Sequence, residues 1–170
     1  IALEYFIEFA GCDDDGNQLP DSPMKGGVVI FAAGNEAIDY DPICSTVDVI
    51  AVGAIDMDGS RASFSNYGDW VDLCAPGVSI LSTTPGSLYT RKQGTSMACP
   101  HVTGVAALIV SYFGGPGFTN EDLKNKLLGG ANTTIVPEYY QIGKLVDAYG
   151  SMVFGNDKAP APVADLTVAG

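Results

Sequence analysis

The residues best suited to chemistry lie in one stretch, Gly94-Thr95-Ser96-Met97-Ala98-Cys99-Pro100-His101-Val102-Thr103-Gly104. Gly94 permits a tight turn just ahead of a helix. Ser96 then falls at the helix N-terminus, where N–H groups without partners and the positive end of the dipole favour negative charge. A hydroxyl so placed is suited to attack a carbonyl, because its own backbone N–H can donate to the oxyanion that forms. The same position also suits a plain helix cap, and caps outnumber nucleophiles in proteins at large. Pro100 is expected in the first turn, where its missing N–H costs little. Gly104 clears space for close approach of a neighbour.

A second group of residues points the same way. Ala32-Ala33-Gly34-Asn35 ends an apolar run with a carboxamide. Ligand sites in open α/β sheets lie beyond the carboxyl ends of strands, so Asn35 is either a second donor to the same oxyanion or a turn residue, which Gly-Asn also favours. His101 is the only histidine. Five residues past Ser96 on one helix, it would sit about 140° around the axis and about 7.5 Å along it, out of easy reach of the hydroxyl. Cys99 as a thiolate nucleophile would need His101 as its base, and residues two apart do not face each other on a helix. Asp13-Asp14-Asp15-Gly16-Asn17 faintly resembles a calcium loop but lacks the spacing to a bidentate Glu, so a solvated surface loop is expected.

The elements that must position these groups alternate. Residues 1–10 read as an amphipathic helix. Residues 27–33 and 47–55 are continuous apolar runs, the pattern of strands buried on both faces. Residues 70–75 suggest a third strand and 78–81 a short fourth. A helix is expected over 95–113, stopped by Gly114-Gly115-Pro116-Gly117, and a second from Thr119 or Asn120, either of which could cap it, to about Leu128. Strands alternating with helices indicate an α/β architecture with a mainly parallel sheet.

Composition bounds the partners. The 170 residues carry a net charge of −12 and are 46% hydrophobic. Such an acidic balance argues against nucleic acid and anionic membrane surfaces. The apolar runs at 28–33 and 105–110 are far shorter than the ~20 residues of a membrane span. Four cysteines allow three disulfide pairings or a set of buried thiols. The chain opens on Ile1 without a signal segment and so reads as a piece of something longer.

Residues 94–104 resemble the nucleophile motif of the subtilisin-like serine proteases, and Val28–Glu36 (VVIFAAGNE) resembles that family's oxyanion-asparagine strand. Three further stretches agree in order: Val49–Ala54, Arg61-Ala62-Ser63-Phe64-Ser65-Asn66-Tyr67-Gly68, and Ala75-Pro76-Gly77. The resemblance covers roughly residues 1–150 and implies the C-terminal half of a subtilisin-like α/β catalytic domain over 1–153. It implies Ser96 as nucleophile, Asn35 with the Ser96 N–H as oxyanion hole, and Ala33 and Gly34 along the pocket for the side chain preceding the scissile bond. Asp41-Pro42 could hold a cis peptide near that pocket. His101 is then not the base; the family's catalytic Asp and His both precede the first helix. The chain alone is therefore expected to be inactive, its partners being a peptide or protein substrate and the missing N-terminal half. The family allows calcium and implies a secreted or cell-surface location. No other cofactor is expected. Missing its neighbouring strand, the edge near 28–33 should pair with a second copy or be covered by the N-terminal helix. A parent lacking the upstream Asp and His would instead be a pseudoenzyme or a scaffold or adhesion module. Residues 154–170 read as a linker, Lys158-Ala159-Pro160-Ala161-Pro162, and from Pro160 resemble the start of a fibronectin type III domain.

Overall fold

The computed structural model describes residues 2–40, 44 and 46–155. The Asp41-Pro42 bond, the proline-rich linker and the fibronectin-like stretch lie outside the described residues. The described elements are α1 (Ala2–Phe9), β1 (Ile30–Ala32), β2 (Ile50–Ile55), β3 (Leu73–Pro76), β4 (Ile80–Thr84), β5 (Leu88–Lys92), α2 (Thr95–Phe113), α3 (Asn120–Gly129), β6 (Lys144–Leu145) and α4 (Ala148–Val153).

The second apolar run forms β2 inside a parallel sheet ordered β1-β2-β3-β6, while the first forms only the three-residue edge strand β1, half-buried and not enclosed on both faces as expected. All six residues of β2 are buried. Their side chains alternate between two faces, as the period of a strand requires. Ile50, Val52 and Ala54 enter one core with Leu73 and Ala75 of β3, while Ile55 and Cys74 enter a second with Val136 and Ile142. The first core is closed by α2, whose buried positions Ala98, Val102, Ala106 and Ile109 recur at helical spacing and lie against β1, β2 and β3. At 19 residues and a mean hydropathy of 1.4, α2 taken whole is long and apolar enough to cross a bilayer, although neither apolar run counted by itself is. Here its apolar stripe packs on the sheet.

Three departures from the sequence expectations have local causes. Pro100 is the sixth residue of α2, not part of its first turn. Its missing N–H therefore removes the intrahelical partner of the Ser96 carbonyl. The expected strand at 78–81 becomes the first arm of an antiparallel hairpin, β4 with β5, in the register Ile80↔Lys92 to Thr84↔Leu88. β5 reads Leu-Tyr-Thr-Arg-Lys and is exposed throughout, so no buried run announced it. Finally, of the four cysteines only Cys74 is fully buried, where a set of buried thiols was one of the two expectations.

Side-chain hydrogen bonds settle the helix caps. Thr119 caps α3: its hydroxyl accepts from the Asp122 N–H at 3.2 Å, and the Asp122 carboxylate accepts from the Thr119 N–H at 2.9 Å. Asn120, the other candidate, donates instead to the carbonyls of Ile7 and Gly27, fastening α1 ahead of β1. Among the described residues β1 is hydrogen-bonded as a strand only to β2.

At the N-terminal ends of β2 and β3, remote from the candidate site, the buried Lys124 pairs with Asp48 and Glu121. Half-buried Asp72 accepts from the Ala51 N–H at 2.8 Å. Burial raises the Asp72 carboxyl above its ordinary range and Asp48 adds like charge, against the opposing Ala51 N–H and Lys124. The folded state thus binds this proton more tightly than the unfolded chain, and stability falls as pH rises through the folded-state titration. Asp72→Asn keeps an oxygen for Ala51 and removes the charge. It is expected to raise the urea midpoint at pH 7, with the gain shrinking towards pH 4. An unchanged or lowered midpoint at pH 7 would contradict this.

Candidate active site

Backbone pairing carries β1 one residue beyond its end, the Ala33 N–H donating to Val52 at 2.9 Å. Gly34 then turns the chain out of the sheet with φ 106°, a conformation that side chains rarely adopt. A Cβ there would collide with the Asn66 amide. The turn delivers Asn35 to the start of α2. Its Oδ1 accepts from the Thr95 N–H at 2.8 Å and from the Thr95 hydroxyl at 3.1 Å. That hydroxyl in turn accepts from the Gly34 N–H at 3.1 Å. Thr95 is fully buried. It joins the two chain segments, and sequence reading gave it no role.

The approach to α2 is equally constrained. Gly94 has φ 145° and ψ 160°, a region open only to glycine, and its N–H donates to Gly77 at 2.9 Å. The Ala75-Pro76-Gly77 end of β3 therefore sets where the helix begins. Ser96, second in the helix, is exposed. Its N–H is one of the first-turn donors that have no intrahelical acceptor. Asn35 and Ser96 are thus brought together. The carboxamide oxygen is bound to the residue preceding Ser96, while no described residue accepts from Asn35 Nδ2. Asn35 Nδ2 and the Ser96 nitrogen each lie 3.7 Å from where a Cβ on Gly94 would sit, so two N–H donors gather at the helix start that carries the exposed Ser96. Such an arrangement can receive the charge of a tetrahedral oxyanion.

Ala33 and Gly34 line a cavity of about 470 Å³ whose other walls include Ile38, Tyr40 and Trp70, with Glu36 among the polar groups. The Glu36 carboxylate accepts from the Asn35 N–H and from the Asn66 side chain, each at 2.9 Å. Residues 12–152 match the family described as Subtilase family, Peptidase S8. The chain belongs to the subtilase family. It is 55% identical over 107 residues to a thermophilic serine proteinase of Bacillus sp. (strain AK1), covering 59% of this chain and 26% of that protein. It is 41% identical over 127 residues to Subtilisin BL of Lederbergia lenta, covering 73% and 45%. Among solved structures, a cold-adapted subtilisin-like serine proteinase superposes with a TM-score of 0.65 at 35% identity, covering 71% of this chain and 45% of that one. This subtilase chain spans less than half the length of each of these relatives.

The remaining candidates in this subtilase chain are engaged elsewhere. The exposed His101 ring lies with Nδ1 2.9 Å from the carbonyl of Met97 in its own helix. The Cys99 thiol donates to Ile30 at 3.5 Å, and burial raises its pKa, which disfavours a thiolate. In the acidic loop, Asp13 Oδ1 accepts from the N–H groups of Asp15 (3.0 Å) and Asn17 (2.8 Å). That carboxylate is turned into its own loop, and no group of three metal-ligating side chains converges among the described residues.

Proposed function

We propose that this chain carries the nucleophile, the oxyanion hole and the substrate side-chain pocket of a subtilase endopeptidase, and that the remainder of the domain carries its base and acid. The observation supporting this is the Asn35–Thr95 pair of hydrogen bonds, which holds a carboxamide against the start of the helix bearing Ser96. The Ser96 Oγ attacks the scissile carbonyl while its proton passes to the base. The carbonyl oxygen, now negative, accepts from Asn35 Nδ2 and the Ser96 N–H. The amine leaves with that proton, and water repeats the sequence on the acyl-enzyme. The residue preceding the scissile bond places an apolar side chain between Ala33, Gly34 and Trp70, because that cavity is walled chiefly by apolar groups. A secreted or cell-surface location goes with the same kinship.

The partner this mechanism requires is the rest of the domain. A groove of about 610 Å³ runs from Ser96 past Cys99, Thr103 and Gly104 to Ala32, beside the outer edge of β1. Small side chains along a helix allow another element to approach closely, and an open strand edge offers unpaired backbone groups. We assign these adjoining surfaces to the missing half. Without it, a second copy of the chain can use the same edge in a symmetric dimer.

The test compares the chain alone with the complete domain on a peptide p-nitroanilide bearing an apolar residue before the cleaved bond. The complete domain is expected to turn over and the chain alone to show no hydrolysis above buffer. Hydrolysis by the chain alone, abolished by Ser96→Ala, would overturn the division of labour. An inert complete domain would overturn the functional reading itself.

A further inference from the structure

We infer that Asn66 is the positioning residue of the oxyanion hole; the inference rests on the proposed roles of Asn35 and Ser96. Asn66 lies 30 residues beyond the turn it serves and is only 4% exposed. Every polar atom of its side chain is committed to that turn. Nδ2 donates to the Ala33 carbonyl at 3.0 Å and to Glu36 Oε2 at 2.9 Å. Oδ1 accepts from the N–H of Glu36 at 2.9 Å and of Ile38 at 3.3 Å. Its backbone N–H donates to Gly34 at 3.0 Å. Asn66 therefore grips the chain on both sides of Asn35 without touching Asn35. The link to Asn35 runs through Glu36, whose Oε2 accepts from the Asn35 N–H while receiving the Asn66 amide.

Asn35 is thus held at two ends, its backbone by the Asn66–Glu36 pair and its carboxamide oxygen by Thr95. Both ends are needed to aim Nδ2. With the oxygen alone fixed, the amide can swing about that contact, and an oxyanion donor displaced by about 1 Å loses most of its effect. Only an amide meets the demand at position 66. Two donors must point towards the Ala33 carbonyl and Glu36, and one oxygen must take two N–H groups. An aspartate would lose both donors and set a second carboxylate against Glu36. The tight seat of Gly34 under the Asn66 amide is the steric counterpart of the same grip.

The test uses the complete catalytic domain and two peptide ligands of one sequence. The aldehyde adds the Ser96 hydroxyl across its C=O: the Oγ–C bond forms, the carbonyl electron pair moves to oxygen, and the hydroxyl proton passes to the base. The matching alcohol fills the side-chain pocket but forms no adduct. Asn66→Ala is expected to weaken the aldehyde ~10²-fold more than the alcohol, because both ligands fill the side-chain cavity that Asn66 also lines and only the aldehyde uses the hole. Because Asn66 acts through Asn35, the double variant Asn35→Leu/Asn66→Ala should have the kcat of Asn35→Leu alone. If Asn66→Ala does not fold by thermal melting, the near-isosteric Asn66→Asp is read in its place with the same expectation. Equal weakening of both ligands, no weakening of the aldehyde, or a full additional loss of kcat in the double variant would each overturn the inference. Wild-type activity lost in Ser96→Ala, alongside unaltered aldehyde binding in Asn66→Ala, would reject Asn66 and leave the proposed function standing. A complete domain indifferent to Ser96→Ala would reject both.

Discussion

Ser96→Ala in the complete catalytic domain is expected to lower kcat ~10⁶-fold while KM changes by less than about threefold; the magnitude is that known for loss of the nucleophile in subtilisin, a relative of this chain. The physical ground is that no described group can replace the hydroxyl. Cys99 is half-buried, hydrogen-bonded to the β1 backbone and held away from its thiolate form. His101 is directed at its own helix. Alanine also costs the fold little. Ser96 is exposed, has no side-chain hydrogen bond among the described residues, and occupies a helix position where alanine is the best helix former. Turnover of a peptide p-nitroanilide, together with a burst assay for the acyl-enzyme, separates loss of chemistry from loss of binding. A fall of less than tenfold, or a persisting burst, would remove Ser96 from the nucleophile's role.

Asn35→Leu should lower kcat by ~10² to 10³ with KM nearly unchanged, the range found for the corresponding donor in subtilisin. The donor contributes once charge has moved onto the carbonyl oxygen, so its removal raises the barrier more than it weakens ground-state binding. The surroundings of Asn35 add a graded expectation. Leucine removes the Nδ2 donor and also the oxygen that accepts from the Thr95 N–H and hydroxyl. Aspartate restores that oxygen but sets a negative charge where the oxyanion forms. Asn35→Asp should therefore melt closer to wild type than Asn35→Leu and yet be the slower enzyme. Were the aspartate variant the faster of the two, the carboxamide would be acting on Thr95 and the helix start, not on the oxyanion. Thermal melts and kcat on the same preparations decide between these roles.

The candidate site was legible in unequal parts. Ser96 and Asn35 stand out because each sits at an element boundary with an unusual polar residue, and because the motifs around them resemble a known family. Glu36 and Asn66 lay within those motifs, but nothing in their spacing showed that one would anchor the other. The hairpin arm β5 escaped notice because an exposed Leu-Tyr-Thr-Arg-Lys stretch has neither a buried run nor a strict alternation. Pro100 was placed in the first turn although the expected helix start at Thr95, which the structure keeps, already makes it the sixth helical residue.

Short-range physics wrote the elements plainly: a continuous apolar run for β2, a helical stripe for α2, and a polar, acidic start at Thr119 or Asn120 for α3. Each depends on neighbours within a few residues, so its pattern is complete in the linear chain. The convergence of Asn35 on Thr95, 60 residues apart, and of Asn66 on Ala33 and Glu36 exists only once three loops of a parallel sheet are brought to one end. Hydrogen bonds between distant segments leave no periodic trace, since each side chain is chosen for a partner whose position the fold alone creates.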